Sequence, residues 1–132
     1  MQLKIIEKFA AAHHLENYVG PCATKHGHTW RVEVLLDVTK PFQFSENGNG
    51  THGLSVDFGR VKSVIRGLLP DHKDLNEVLP FNPTAENLAK WLGDKIQSQL
   101  YYEMPLVECP VQSVIVWESD TAAAIATRGI DF

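Results

Sequence analysis

Residues 28–38 read HTWRVEVLLDV, and this stretch decides the fold class. His28, Trp30, Val32 and Val34 fall on one face of it, and Thr29, Arg31 and Glu33 on the other. A period of two with one apolar face is the pattern of a half-buried antiparallel strand. Upstream, residues 3–13 carry Leu3, Ile5, Ile6, Phe9 and Ala11, a mostly alternating run that predicts a first strand. Residues 16–25 between them hold Asn17, Gly20 and Pro21 and read as a loop. Downstream, residues 39–53 gather Pro41, Asn47, Gly48, Asn49 and Gly50, which predicts a long turn or hairpin tip. The glycines there are not a phosphate-cradling fingerprint, because no strand-then-helix frame surrounds them.

After a short extended piece over residues 54–57, the pattern changes period. Asp57 is placed to cap a helix over residues 58–69, whose Val61, Val64, Ile65 and Leu68 form one apolar stripe. Pro70 ends it, and residues 71–76 (DHKDLN) read as a polar loop. Pro83-Thr84-Ala85-Glu86 opens a second helix, with Thr84 as N-cap and Glu86 complementing the first-turn dipole. Leu88, Trp91, Leu92, Ile96 and Leu100 keep its inner face apolar, and Pro105 and Pro110 mark the exit. Residues 111–118 predict a third strand, and residues 121–127 pair with it as a hairpin after the Ser119-Asp120 turn.

The order is β-β-α-α-β-β. It implies an α+β single domain over residues 1–132, with one antiparallel sheet and two helices on one face. Such a sheet leaves two open edges and a second face to cover, so a homo-oligomer is expected.

Composition narrows the function classes. The 132 residues are 44% hydrophobic and 21% charged, the profile of an ordinary globular chain with one core. Twelve basic against sixteen acidic residues give a net charge of −4. Phosphate neutralisation needs clustered Lys and Arg, so no nucleic-acid partner is expected. No apolar run approaches the ~18 residues of a membrane span. Lys4, Glu7 and Lys8 interrupt the segment where a signal peptide would be apolar. The expectation is a soluble, cytoplasmic protein without a membrane partner, whose Cys22 and Cys109 are free thiols.

Four of the six histidines, His13, His14, His26 and His28, fall in the first quarter. In a strand beginning at His26, His26 and His28 point to one side, and His13 shares a face with Phe9 and Ala11. Three neutral imidazoles on Zn²⁺ leave a fourth position open, the arrangement of a catalytic site. On spacing alone the alternative is ordinary hydrogen-bonded histidines. Cys22, four residues before His26, reads as a thiolate base or nucleophile, as a fourth metal ligand, or as a loop cysteine of no consequence. Asp71-His72 offers a proton donor, although adjacent side chains rarely hydrogen-bond each other and such loop pairs are mostly solvated. Glu118 ends the apolar run VIVWE, either at the wet end of a strand or aimed into a pocket. A carboxylate there suits a ligand with an aminopyrimidinone edge.

Together these segments resemble the 6-pyruvoyltetrahydropterin synthase / 6-carboxytetrahydropterin synthase family. The likeness runs in order through Phe9-Ala10-Ala11-Ala12-His13, Cys22-x-x-x-His26-Gly27-His28 and Val56-Asp57-Phe58. It continues through Asp71-His72-x-x-Leu75-Asn76, Pro83-Thr84-Ala85-Glu86-Asn87-Leu88-Ala89 and Trp117-Glu118. The resemblance implies a tunnelling fold, in which three subunits' sheets form a barrel and two trimers stack into a hexamer with active sites between subunits. It implies zinc on His13, His26 and His28, and Cys22 as the proton acceptor. Asp71 and His72 would be an acid–base pair from a neighbouring subunit. Glu118 would anchor the pterin and join the proton relay, and Thr84 would help bind the ring.

The implied substrate is 7,8-dihydroneopterin triphosphate, with no nicotinamide, flavin or ATP. The compact Cys-x-x-x-His-Gly-His spacing resembles the carboxy branch, which releases acetaldehyde on the way to 7-deazapurines such as queuosine. The pyruvoyl branch, which keeps the side chain, is the alternative. A different zinc lyase or hydrolase, and a non-catalytic zinc-binding assembly protein, are the others. Three positions depart from the pattern: His14 where Arg or Lys is common, Pro70 where Leu is usual, and Ser119 where Thr is usual.

Overall fold

Strand β1 (Gln2–His13) and strand β2 (His26–Asp37) run antiparallel in unbroken register, from Gln2 opposite Asp37 to His13 opposite His26. The computed structural model describes residues 1–38, 55–105 and 110–132. The turn expected at residues 39–53, residue 54 of the extended piece, and Cys109 lie outside the described residues. Helix α1 (Phe58–Leu68) follows, then a two-residue strand β3 (Lys73–Asp74) and a one-turn helix α2 (Leu75–Val78). Helix α3 (Ala85–Glu103) and the hairpin of β4 (Val111–Trp117) with β5 (Ala123–Thr127) complete the chain.

The five strands form one sheet in the order β3-β1-β2-β4-β5. The sheet is mixed, not wholly antiparallel, because β3 lies parallel to β1 through Ala11 with Lys73 and Ala12 with Asp74. The expected polar loop at residues 71–76 therefore holds a strand and the start of a helix. Its cause is backbone pairing on the open edge of β1. Asp71 Oδ1 accepts from the Ala10 N–H at 2.8 Å, and the His72 N–H donates to the Ala10 carbonyl at 2.6 Å. Main-chain docking of this kind leaves no apolar alternation in the sequence to announce it.

The core lies between the helices and one face of the sheet. Ile5, Phe9 and Ala11 enter it from β1, and Trp30, Val32, Val34 and Leu36 from β2. Val114 and Val116 of β4 meet Leu88, Leu92 and Ile96 of α3 there, all fully buried. Each such side chain contributes roughly 1.5–3 kcal/mol by leaving water. Both expected caps form: Asp57 accepts from the Gly59 N–H at 2.7 Å, and Thr84 from the Asn87 N–H at 3.1 Å. A cap of this type is worth about 1 kcal/mol and fixes where α3 begins.

The opposite face of the sheet is not simply solvated. Glu33 is only 7% exposed there. It accepts from Trp117 Nε1–H at 3.1 Å and from Arg31 at 3.3 Å, and the Arg31 guanidinium sits 4.6 Å over the Trp117 ring.

Candidate metal centre and active site

Because β1 and β2 pair without a slip, His13 sits directly opposite His26, and His28 follows on the same face. The three rings approach edge to face, with centroids 4.6, 5.0 and 4.7 Å apart. Trp30 lies beneath them, its ring centre 4.9 Å from His13 and 5.3 Å from His28. Its Nε1–H donates to the Ala11 carbonyl at 3.3 Å, so the floor of the site is pinned to β1. Glu118, just past the end of β4, closes the group: one donor atom from each of His13, His26, His28 and Glu118 lies within 4.8 Å of the others.

The hydrogen bonds on the far side of the rings fix their tautomers. His13 Nδ1 stands 2.8 Å from the Pro83 carbonyl, and His26 Nδ1 2.7 Å from the Thr24 carbonyl. A carbonyl only accepts, so both Nδ1 atoms carry hydrogen and both Nε2 atoms of the neutral rings present lone pairs. Those Nε2 atoms face each other at 3.0 Å. Two acceptors at that distance repel unless a cation or proton lies beside them. His28 Nε2 is buried and makes no hydrogen bond among the described residues, although Glu118 Oε1 stands 3.2 Å away. Burial lowers the His28 pKa below the ordinary imidazole value, while Glu118 opposes the shift and His13 and His26 add to it. Neutral imidazole is the form that ligates a metal. The donor set therefore fits a divalent transition ion such as zinc.

Cys22 lies outside that donor group. It sits half-buried in a single 3-10 turn, Pro21–Ala23, entered through Gly20 at φ +154°. That angle is one L side chains rarely adopt, so glycine suits the entry to this turn. The reading of Cys22 as a fourth metal ligand is not supported; the fourth donor that the structure brings to the histidines is Glu118.

Asp71 and His72 correct a second expectation. Their side chains do pair, Asp71 Oδ2 to His72 Nδ1 at 2.9 Å. The pairing follows from the backbone: His72 takes φ +57°, a left-handed conformation that turns its ring back toward the preceding carboxylate. Such a conformation is uncommon outside glycine and is stabilised here by the Ala10 contacts. Asp71 is held below its ordinary pKa by the Ala10 N–H first and by His72 second. His72 lines a groove of about 640 Å³ together with His28, Lys25, Lys73 and Asp74. Thr84 is engaged as the α3 cap.

The family model described as 6-pyruvoyl tetrahydropterin synthase matches residues 2–129. The chain belongs to this family. Among relatives, the dihydroneopterin monophosphate aldolase of Pyrococcus furiosus is 29% identical over 124 residues, covering 91% of this chain and 93% of that protein. The 6-carboxy-5,6,7,8-tetrahydropterin synthase of Synechocystis is 32% identical over 93 residues, covering 67% of this chain and 69% of the relative. Among solved structures, the 6-pyruvoyl tetrahydropterin synthase of Caenorhabditis elegans superposes with a TM-score of 0.72 at 22% identity, covering 96% of this chain and 94% of the other. That likeness shows the tunnelling fold, which the mixed five-strand sheet and two main helices share.

Membership of the 6-pyruvoyl tetrahydropterin synthase family gives the expected site residues a common frame. His13, His26, His28 and Glu118 form one cluster, and Asp71 and His72 a second. The carbonyls of Pro83 and Thr24, which set the tautomers, were not foreseen; main-chain acceptors leave no side-chain signature. Asn76, within the segment quoted for the resemblance, received no role from sequence.

Proposed function

We propose that the protein is a zinc-dependent lyase that converts 7,8-dihydroneopterin triphosphate and water to 6-carboxy-5,6,7,8-tetrahydropterin, acetaldehyde and triphosphate. The observation that carries this reading is the convergence of His13, His26 and His28, one ring nitrogen of each within 4.8 Å of the others, with the Nε2 atoms of His13 and His26 facing each other at 3.0 Å. The names of the Synechocystis and Aquifex aeolicus relatives, both 6-carboxy-5,6,7,8-tetrahydropterin synthases, support it. When bound, zinc supplies a Lewis acid that eases removal of protons from the substrate's side-chain hydroxyls.

The remaining work falls to this chain's own groups. Glu118 accepts two parallel N–H bonds from the aminopyrimidinone edge and so orients the pterin, and the helix N-terminus at Thr84 helps bind it. The Cys22 sulfur takes a proton from the side-chain carbon and returns it during tautomerisation. His72 supplies the complementary proton, held in place by Asp71. Electrons lost by the side chain are gained by the dihydropterin ring, so no external oxidant or reductant enters. The His72 side chain is 82% exposed and that of Asp71 52%. An acid–base pair this wet gains its function when a neighbouring subunit covers it, so the proposal includes a hexamer with shared sites. A cytoplasmic location and a role in 7-deazapurine biosynthesis belong to the same proposal.

A second reading is a retro-aldol cleavage, favoured by the Pyrococcus furiosus relative that spans 91% of the chain. Incubation with 7,8-dihydroneopterin triphosphate and, separately, with the monophosphate separates the readings. Acetaldehyde with a 6-carboxy product supports the lyase proposed. A phosphorylated two-carbon aldehyde supports the aldolase, and triphosphate release with the side chain retained supports the pyruvoyl branch. A metal-loaded protein that turns over neither substrate overturns the proposal.

A further inference from the structure

Past His13 the pairing of β1 with β2 ends, yet the main chain of the next three residues stays hydrogen-bonded. The carboxamide of Asn76 accepts from the His14 N–H at 2.9 Å and donates to the His14 carbonyl at 3.0 Å. That of Asn82 repeats the pattern two residues on, accepting from the Glu16 N–H at 3.1 Å and donating to the Glu16 carbonyl at 3.5 Å. A carboxamide offers one acceptor and a donor in a plane, as a neighbouring strand's backbone does. Asn76 and Asn82 therefore stand in for a missing strand. Leu15, between the two clasped residues, turns its N–H the other way and donates to the Cys22 carbonyl at 2.8 Å.

The clasp is tied in from behind. Asp74 accepts from the Asn76 N–H at 3.1 Å and pairs with Lys25, three residues beyond Cys22. The Asn82 carbonyl accepts from Asn87 Nδ2 at 2.9 Å, which links it to the first turn of α3. The loop that carries Cys22 is thus gripped on both sides by one short segment, residues 74–76, that also continues the stretch bearing Asp71 and His72.

We propose that Asn76 and Asn82 are positioning residues that set where the Cys22 thiol stands relative to the three histidines. The inference rests on the reading of Cys22 as the proton-transferring group, but its test does not. The probes are amide exchange of the full chain and alkylation of Cys22 by iodoacetamide, resolved from Cys109 by peptide mapping. In the unmutated protein the His14, Leu15 and Glu16 amides are expected to exchange as slowly as those of β1. Exchange at loop rates would overturn the proposal without any variant.

In Asn76→Ala and Asn82→Ala, exchange at Leu15 should rise about tenfold, the effect on local opening of losing one or two hydrogen bonds. Cys22 alkylation should rise at least about threefold as the loop loosens, with metal content unchanged. Where Asn76→Ala fails to fold, Asn82→Ala, which leaves α2 intact, decides the matter. Exchange and alkylation within about twofold of the parent in a folded variant would overturn the clasp. With 7,8-dihydroneopterin triphosphate as substrate, kcat should fall while KM holds. If the parent shows no turnover but both probes respond, the functional reading fails and the clasp stands.

Discussion

His13 Nε2 and His26 Nε2 stand 3.0 Å apart, each on a ring whose Nδ1–H is given to a main-chain carbonyl. Neither atom can donate to the other in the neutral state, so the folded chain holds two lone pairs in opposition. A bound cation relieves that repulsion, and its binding energy adds to folding stability. Zinc at a hundredfold excess over its Kd should stabilise the protein by about 3 kcal/mol. A chelator should reverse the shift, and His26→Ala should abolish it. Thermal melts with and without metal provide the check; an unmoved midpoint in the parent protein would refute the site.

Cys22 makes the opposite prediction for metal. Its sulfur is outside the group formed by the three histidines and Glu118. Cys22→Ser should keep the metal content of the parent while turnover falls by about 10²–10⁴, the usual contribution of a positioned acid or base. Metal analysis beside an activity assay tests it. Loss of the ion with the thiol would make Cys22 a ligand after all.

The fold was legible wherever side-chain periodicity carried it. Alternation gave β2, with His28, Trp30, Val32 and Val34 on its inner face, and Asp57 and Thr84 marked where α1 and α3 begin. What escaped was made by the main chain. Strand β3 forms because Asp71 and His72 bind the backbone of Ala10, and nothing in DHKDLN alternates. Period put His26 and His28 on one face of β2, but their meeting with His13 depends on the β1–β2 register, which the pattern does not set and only the family resemblance implied. The side-chain pairing of Asp71 with His72 was not legible, because it depends on one left-handed backbone angle that no residue type announces.

Asp71 and Asp74 both titrate below the ordinary aspartate value of 3.8. The main cause is the Ala10 N–H for Asp71 and the Lys25 hydrogen bond for Asp74. Folding thus favours their charged forms. The stability they add is fully present above pH 3.8 and is lost as the pH falls through their lower folded values. Lys25 is raised above 10.5 by the same pair, so its share disappears only as the pH rises past that raised value. Urea midpoints followed from about pH 6 to about pH 2.5 should fall less steeply for Asp74→Asn than for the parent. Salt should shrink the difference, because both partners lie near the surface. Parallel curves for the two proteins would show that the pair adds nothing to acid stability.

Glu118 faces two demands, since its Oε1 lies 3.2 Å from His28 Nε2 and its carboxylate is also the group proposed to hold the pterin. Glu118→Gln keeps the shape but replaces one acceptor oxygen with a donor. Against a ligand edge that itself donates two N–H groups, one bond is lost and a donor meets a donor. Pterin affinity should fall by ~1–3 kcal/mol, the range for a charged hydrogen bond left unmade. Because three imidazoles remain, metal should stay bound, with an affinity loss well below that of His28→Ala. Calorimetric titration of a pterin into metal-loaded parent and variant separates the two roles. Equal pterin affinity would remove Glu118 from ring binding and leave it only as a neighbour of the histidines.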